Sequence, residues 1–146
     1  MCINAAHRSW WQRGGMTSIM VPIGRFLFAL IFLAGAPRHF SAEGIHHADE
    51  LGVPLAGVLV PLSGVLALAG GLSVAIGYHA RWGAWALVAF LVPVTLGMHA
   101  FWRVSDEALR HVQQAMFAKN LAMLGAALLL AWFGAGPWSI DAWRRG

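Results

Sequence analysis

Four long apolar runs, separated by polar and turn-forming stretches, organise this sequence. The first extends from about Ile19 to Ala36 and carries a single charge, Arg25. The second begins at Pro54 and ends near Gly77, the third runs from about Gly83 to Phe101, and the fourth from about Ala115 to Phe133. Each approaches the roughly 20 residues that a helix needs to cross a bilayer core. The runs are continuously apolar and do not alternate, which argues against barrel strands. Pro54 suits a first helical turn, and Gly134-Ala135-Gly136-Pro137 is a strong stop for the fourth helix. Phe40, Ile45, Ala48 and Leu51 can share a face, so a short interfacial helix is predicted in the first connection. The pattern predicts an all-α integral membrane four-helix bundle over residues 19–136, with tails at 1–18 and 137–146.

Composition agrees with burial in lipid. Of 146 residues, 59% are hydrophobic and 11% charged, against about 25% charged in a soluble domain. The net charge is +4, but the basic residues stand singly between apolar runs, which excludes a nucleic-acid stripe. Basic residues in such places orient membrane helices. Arg8, Arg13, Arg81, Arg144 and Arg145 fall at the N-terminus, the second connection and the C-terminus. The first and third connections hold Arg38, Arg103 and Arg110 together with Glu43, Asp49, Glu50, Asp106 and Glu107. Both termini are therefore expected in the cytoplasm, as four spans require them to share a side. Trp82, Trp85, Trp132, Trp138 and Trp143 would lie at that interface and Trp102 at the other. Ala34-Gly35-Ala36 resembles a signal-peptide cleavage site, but Pro37 directly after it disfavours the cut. Met1, Met16 and Met20 are alternative starts.

In lipid, helix association depends on close approach across small residues. Ser63, Ala67, Gly71 and Ala75 recur every four residues in the second run, and Ala118, Ala122 and Ala126 in the fourth. Both stripes are expected to be packing seams. Pro61 and Pro93 each remove a backbone hydrogen bond inside a run, so local kinks are expected.

Candidate chemistry gathers at one end. Cys2 is the only cysteine, so an internal disulfide or a Cys-x-x-Cys pair is excluded. Arg25 lies about a turn inside the first run, as an anchor or as a cation paired with a helix end or an anion. Lys119, expected to face protein, lies with Arg38, His99 and Trp102 at the non-cytoplasmic end, near His39, His46, His47 and His111. His99, Phe101, Trp102, Lys119 and Arg38 form a candidate site for a quinone head group or small anion, with His99 and Lys119 donating hydrogen bonds and an aromatic ring packing on the head group. The alternative is a polar network that holds the helix ends together. His46 and His47 with Asp49 or Glu50 lack a His-x-x-x-His spacing, so no metal site is expected. Catalytic signatures are absent, and no catalytic residue can be named.

A series of landmarks carries a resemblance: Gly24-Arg25, Pro37-Arg38, Leu51-Gly52-Val53-Pro54, Gly70-Gly71, Gly77-Tyr78-His79-Ala80-Arg81, His99-Ala100-Phe101-Trp102, Lys119-Asn120 and Gly136-Pro137-Trp138-Ser139-Ile140-Asp141. Their order and spacing, over residues 20 to 145, resemble the DoxX family of four-helix bacterial inner-membrane proteins. The resemblance implies a membrane component of a quinone-linked redox system, with a redox partner protein and a bound quinone as the candidate cofactor. Many DoxX relatives carry a Glu where Ala67 stands, which puts any proton handling in doubt here. The other readings are a non-enzymatic scaffold and a small carrier that works as a homo-oligomer.

Overall fold

Inside a bilayer the backbone finds no water, so each apolar run must satisfy its own N–H and C=O groups as a helix. A computed structural model describes residues 19–144. The expectations about residues 1–18, including Cys2, Arg8, Arg13 and the choice of start, and about Arg145 lie outside the described residues. The elements are α1 (Met20–Gly35), a 3-10 turn (Ala36–Phe40), α2 (Ala42–Glu50), α3 (Ala56–Ile76), α4 (Ala80–Met98), a second 3-10 turn (Phe101–Arg103), α5 (Glu107–Phe133) and the single turn α6 (Ile140–Trp143). Four helical segments are long and apolar enough to cross a membrane, and no strand occurs among the described residues. The protein is an all-α membrane four-helix bundle.

Several boundaries differ from the hydropathy pattern, each for a local reason. α5 begins at Glu107, well before the apolar run, because the Asp106 carboxylate accepts the Leu109 N–H at 2.8 Å and caps two polar turns. α3 begins at Ala56, after Pro54 and a left-handed Leu55. It ends at Gly77, whose φ of +69° is a conformation that side-chain-bearing residues rarely adopt. The predicted interfacial helix is α2, capped by Ser41 and packed through the buried Ala48. α3 and α4 run through Pro61 and Pro93 without interruption.

The helices pack as a row, α1 on α3, α3 on α4 and α4 on α5, while α1 and α5 do not pack on each other. The 3-10 turn Ala36–Phe40 and α2 fold over α3. The core combines Ala29 and Phe32 of α1, Ala67 and Val74 of α3, Ala84, Leu87, Phe90 and Leu91 of α4, and Ala127 of α5. Phe32 meets Phe90 edge-on, with ring centroids 6.0 Å apart.

The seam on α3 includes the expected Ala67 and Gly71, both buried, with Ser63 and Ala75 half-buried. The stripe expected on α5 is corrected: Ala118 and Ala122 are exposed, Ala126 is half-buried, and the buried positions are Asn120 and Ala127. α5 carries alanines on several faces and, among the long helices, packs mainly on α4, so the spacing of small residues could not choose the buried face. The tightest seam is α3 on α4. A Cβ on Gly70 would come within 2.8 Å of the Gly83 carbonyl oxygen, and one on Gly83 would strike Ser73. Gly70→Ala is therefore expected to lower stability by about 1–3 kcal/mol, the usual cost of overpacking. Gly125→Ala, which adds a methyl group to open space, should stay within about 0.5 kcal/mol. Detergent-titrated unfolding followed by circular dichroism checks both; equal stabilities would contradict the close approach.

Candidate functional site

Polar side chains gather at the two ends of the bundle, and the ends have different chemistry. At the end where α1 starts and α5 finishes, Arg25 is only 4% exposed. A lone Arg at the centre of a span costs about 2.5–3.5 kcal/mol on insertion scales. Arg25 lies nearer the helix end and donates to the loop after α5: Nη1 to the carbonyls of Ala135 and, at 3.4 Å, Pro137, and Nη2 to that of Trp138 at 2.9 Å. Hydrogen bonds to a charged group contribute about 1.5–3 kcal/mol each, enough to offset the burial.

Asp141 completes this clasp. Its carboxylate accepts the N–H groups of His79 at 2.8 Å and Ala80 at 3.0 Å, capping α4 from a distant part of the chain. A negative charge also suits the positive end of the α4 dipole. The Asp141 N–H donates to the Gly77 carbonyl at 2.8 Å, and Asp141 acts electrostatically on Arg25. Of the two readings of Arg25, the geometry gives a cation paired with backbone carbonyls.

The other end holds a cavity of about 570 Å³. Its walls come from all four long helices, among them Phe32 of α1, Leu66 and Ala67 of α3, Phe90 and Leu91 of α4, and Met123 of α5. Its rim is basic and polar: Arg38, His39, His47, His99 and Lys119, with Ser63 and Asn120. Pro37 starts the 3-10 turn that swings His39 over α3. There His39 Nδ1 lies 2.9 Å from Ser63 Oγ, and the Ser63 hydroxyl donates to the Val60 carbonyl at 2.7 Å. With that hydroxyl proton engaged, His39 carries its own proton on Nδ1 and keeps Nε2 as an acceptor.

The candidate residues divide. Arg38, His99 and Lys119 line one cavity. Phe101 and Trp102 do not; they stack edge-on with Phe117, at 5.5 and 5.8 Å, and brace the second 3-10 turn on α5. His99 Nδ1 donates to Gln113 Oε1 at 2.7 Å, so in the neutral ring only Nε2 remains, as an acceptor. Lys119 was expected to face protein; it is exposed at the rim, with Nζ 3.5 Å from Met116 Sδ. His46 and His47 pair with Glu50 at 3.5 and 3.9 Å. No group of three or more metal-ligating side chains converges among the described residues.

Two polar groups in the spans carry more weight than those singled out from the sequence. Asn120 is 4% exposed and lines the cavity; its amide, which makes no side-chain hydrogen bond among the described residues, is not fully enclosed and reaches accessible space. Thr95, 6% exposed, has an unpartnered buried hydroxyl one helical turn from each of two cavity-lining residues, Leu91 and His99. Such groups are costly in a membrane and usually functional; their isolation within apolar runs is the signal that could have found them. Pro93 lacks a backbone N–H. It cannot bond the Ala89 carbonyl four residues back, and both residues line the cavity.

Fold and cavity define a multi-pass helical membrane protein with an internal cavity that is polar at one end. The chain belongs to the SURF4 family, whose model matches residues 53–145. It is similar to two Escherichia coli (strain K12) proteins. It is 30% identical to "Inner membrane protein YqjF", over 86% of this chain and 92% of that protein, and 25% identical to "Inner membrane protein YphA", over 90% and 95%. No solved structure matches the chain. It is an integral inner-membrane protein. The DoxX resemblance is thereby corrected: the matching family is SURF4. Many of the landmarks behind that resemblance are turn, cap and clasp residues such as Gly77, Gly136 and Asp141, which serve the architecture.

The clasp can be tested directly. Arg25→Met strips the charged donor from buried carbonyls and is expected to cost about 1–3 kcal/mol for each group left unpaired. Asp141→Ala should cost about 1 kcal/mol, as for a lost helix cap. Unfolding titrations in mild detergent check both, and parental stability of Arg25→Met would remove the clasp as a structural element.

Proposed function

We propose that this protein binds an amphiphile whose head group accepts hydrogen bonds, a quinone type being the best match to the donors present. The observation that carries the reading is Asn120, a largely buried residue whose unpartnered amide opens into a cavity with mainly apolar walls and a polar rim. A ligand carbonyl accepts from Asn120 Nδ2, while Lys119 and Arg38 favour partial or full negative charge at the rim. The cavity volume falls in the range of small-molecule sites, which are mostly apolar with a few placed polar groups. The redox partnership expected from the DoxX resemblance loses its support with that assignment.

Mass spectrometry of lipid extracts from the gently purified protein tests the reading. Enrichment of a quinone over a control membrane protein is expected. Asn120→Leu should reduce retention about tenfold, the equivalent of one buried hydrogen bond, while the variant remains folded by circular dichroism. If quinone is not enriched, the reading fails. The scaffold role then becomes the better account, with the exposed Ala118, Ala122 and Gly125 of α5 as its contact strip.

The arrangement of charge supports an orientation with both termini in the cytoplasm. The two termini and the second connection together hold Arg8, Arg13, Arg81, Arg144 and Arg145, against Arg38, Arg103 and Arg110 in the first and third connections, and the exposed Trp82, Trp132, Trp138 and Trp143 lie at the clasp end. A C-terminal green fluorescent protein fusion should fluoresce and a C-terminal alkaline phosphatase fusion should be inactive. The reverse result would turn the protein over.

A further inference from the structure

The route by which a ligand reaches this cavity follows from which sides of it are sealed. At the bundle end it is covered by the 3-10 turn Ala36–Phe40 and by α2. His39 and Phe40 press on α3 so closely that a Cβ on Gly64 would lie 2.7 Å from His39 Cβ and 2.9 Å from the Phe40 ring. The hydrogen bond from His39 to Ser63 holds the same cover down. The α3–α4 seam is closed by the approach of Gly70 and Gly83. Along the remaining side, α1 and α5 do not pack on each other, although Ile31, Phe32 and Gly35 from one and Lys119, Asn120 and Met123 from the other line the same space.

We infer that the cavity is loaded sideways from the bilayer, between α1 and α5, by a membrane-dissolved amphiphile that inserts its head group and leaves its hydrocarbon tail in lipid. The inference rests on the amphiphile reading above. Its first support is volume. About 570 Å³ is the size of a site for a drug-sized molecule, so a long tail has to leave through the unpacked side. The second is solvation. Loading through water would expose the tail at a cost of roughly 0.8 kcal/mol for each CH2 group, whereas sideways loading leaves the tail's surroundings unchanged. The third is the placement of donors. Asn120 lies on α5 next to Lys119, beside the gap, so a head group sliding in meets the exposed ammonium first and the buried amide second.

The probes are two benzoquinones with the same methoxy-substituted ring, one without a tail and one with a decyl tail ending in a photoreactive diazirine, added to the full chain in liposomes. Affinities expressed per mole of compound in the bilayer are expected to agree within about threefold, since the tail gains nothing from the protein. Illumination should label lipid and the exposed sides of α1 and α5, such as Leu27 and Leu121, and spare Leu87 and Leu91. Ile31→Trp/Met123→Trp, which narrows the gap at two cavity-lining positions, should slow binding of the tailed compound at least tenfold more than that of the tailless one. Labelling of Leu87 or Leu91, or equal binding rates for the tailed compound in parent and variant, would overturn sideways loading alone. Failure of both compounds to bind the parent would overturn the amphiphile reading and this inference with it.

Discussion

The guanidinium of Arg25, surrounded by backbone carbonyls, is the interaction on which the arrangement of this bundle depends. A charge inside a span must find partners within the protein, and Arg25 finds them in the loop that follows the last long helix. That loop also delivers Asp141 to the start of α4 and its own N–H to the end of α3. One cation and one carboxylate thus tie together four helix ends, among them those of α1 and α5, which share no packed face. The loop in turn satisfies helix-end groups that lipid would leave bare.

Because the two edge helices are joined at one end only, the row can stay open at the other. Gly70 and Gly83 draw α3 and α4 together, and their close packing makes a firm back wall. Phe32 reaches Phe90 from α1, so the front is held by side chains and not by helix backbones in contact. Space is left where the 3-10 turn and α2 fold over, and the basic and polar groups of the connections border it. A tightly clasped end and a hollow end are two results of one packing order.

Membership in the SURF4 family and likeness to inner-membrane proteins of similar length fix where the chain resides. A shared fold does not by itself assign a function. Function has to be argued from the cavity, where the informative groups are the polar atoms that the protein leaves unsatisfied. Asn120 and Thr95 are neutral and buried, so a search for charges passes over both, and among the landmarks Asn120 figures only as the neighbour of Lys119. The landmarks that do attract notice, Gly77-Tyr78-His79 and Gly136-Pro137, turn out to be parts of the clasp region, which is why they pointed to an architecture and to the wrong family.

The sequence by itself determined the four membrane-crossing helices, the short helix of the first connection, the exclusion of an internal disulfide, and the set of polar residues found at each end. These depend on local composition and on the length of apolar runs, which a bilayer reads directly. It also indicated that Arg25 needs a partner, but not which one, because the acceptors are carbonyls of residues more than a hundred positions away. Tertiary structure alone decided which face of α5 is buried, replacing Ala118 and Ala122 with Asn120 and Ala127. It separated His99 and Lys119 from the Phe101 and Trp102 beside which they were grouped. It also extended α5 back to Glu107, through a cap that hydropathy does not register. Each of these depends on which helix lies against which, and apolar runs of equal length and similar composition do not encode that choice locally.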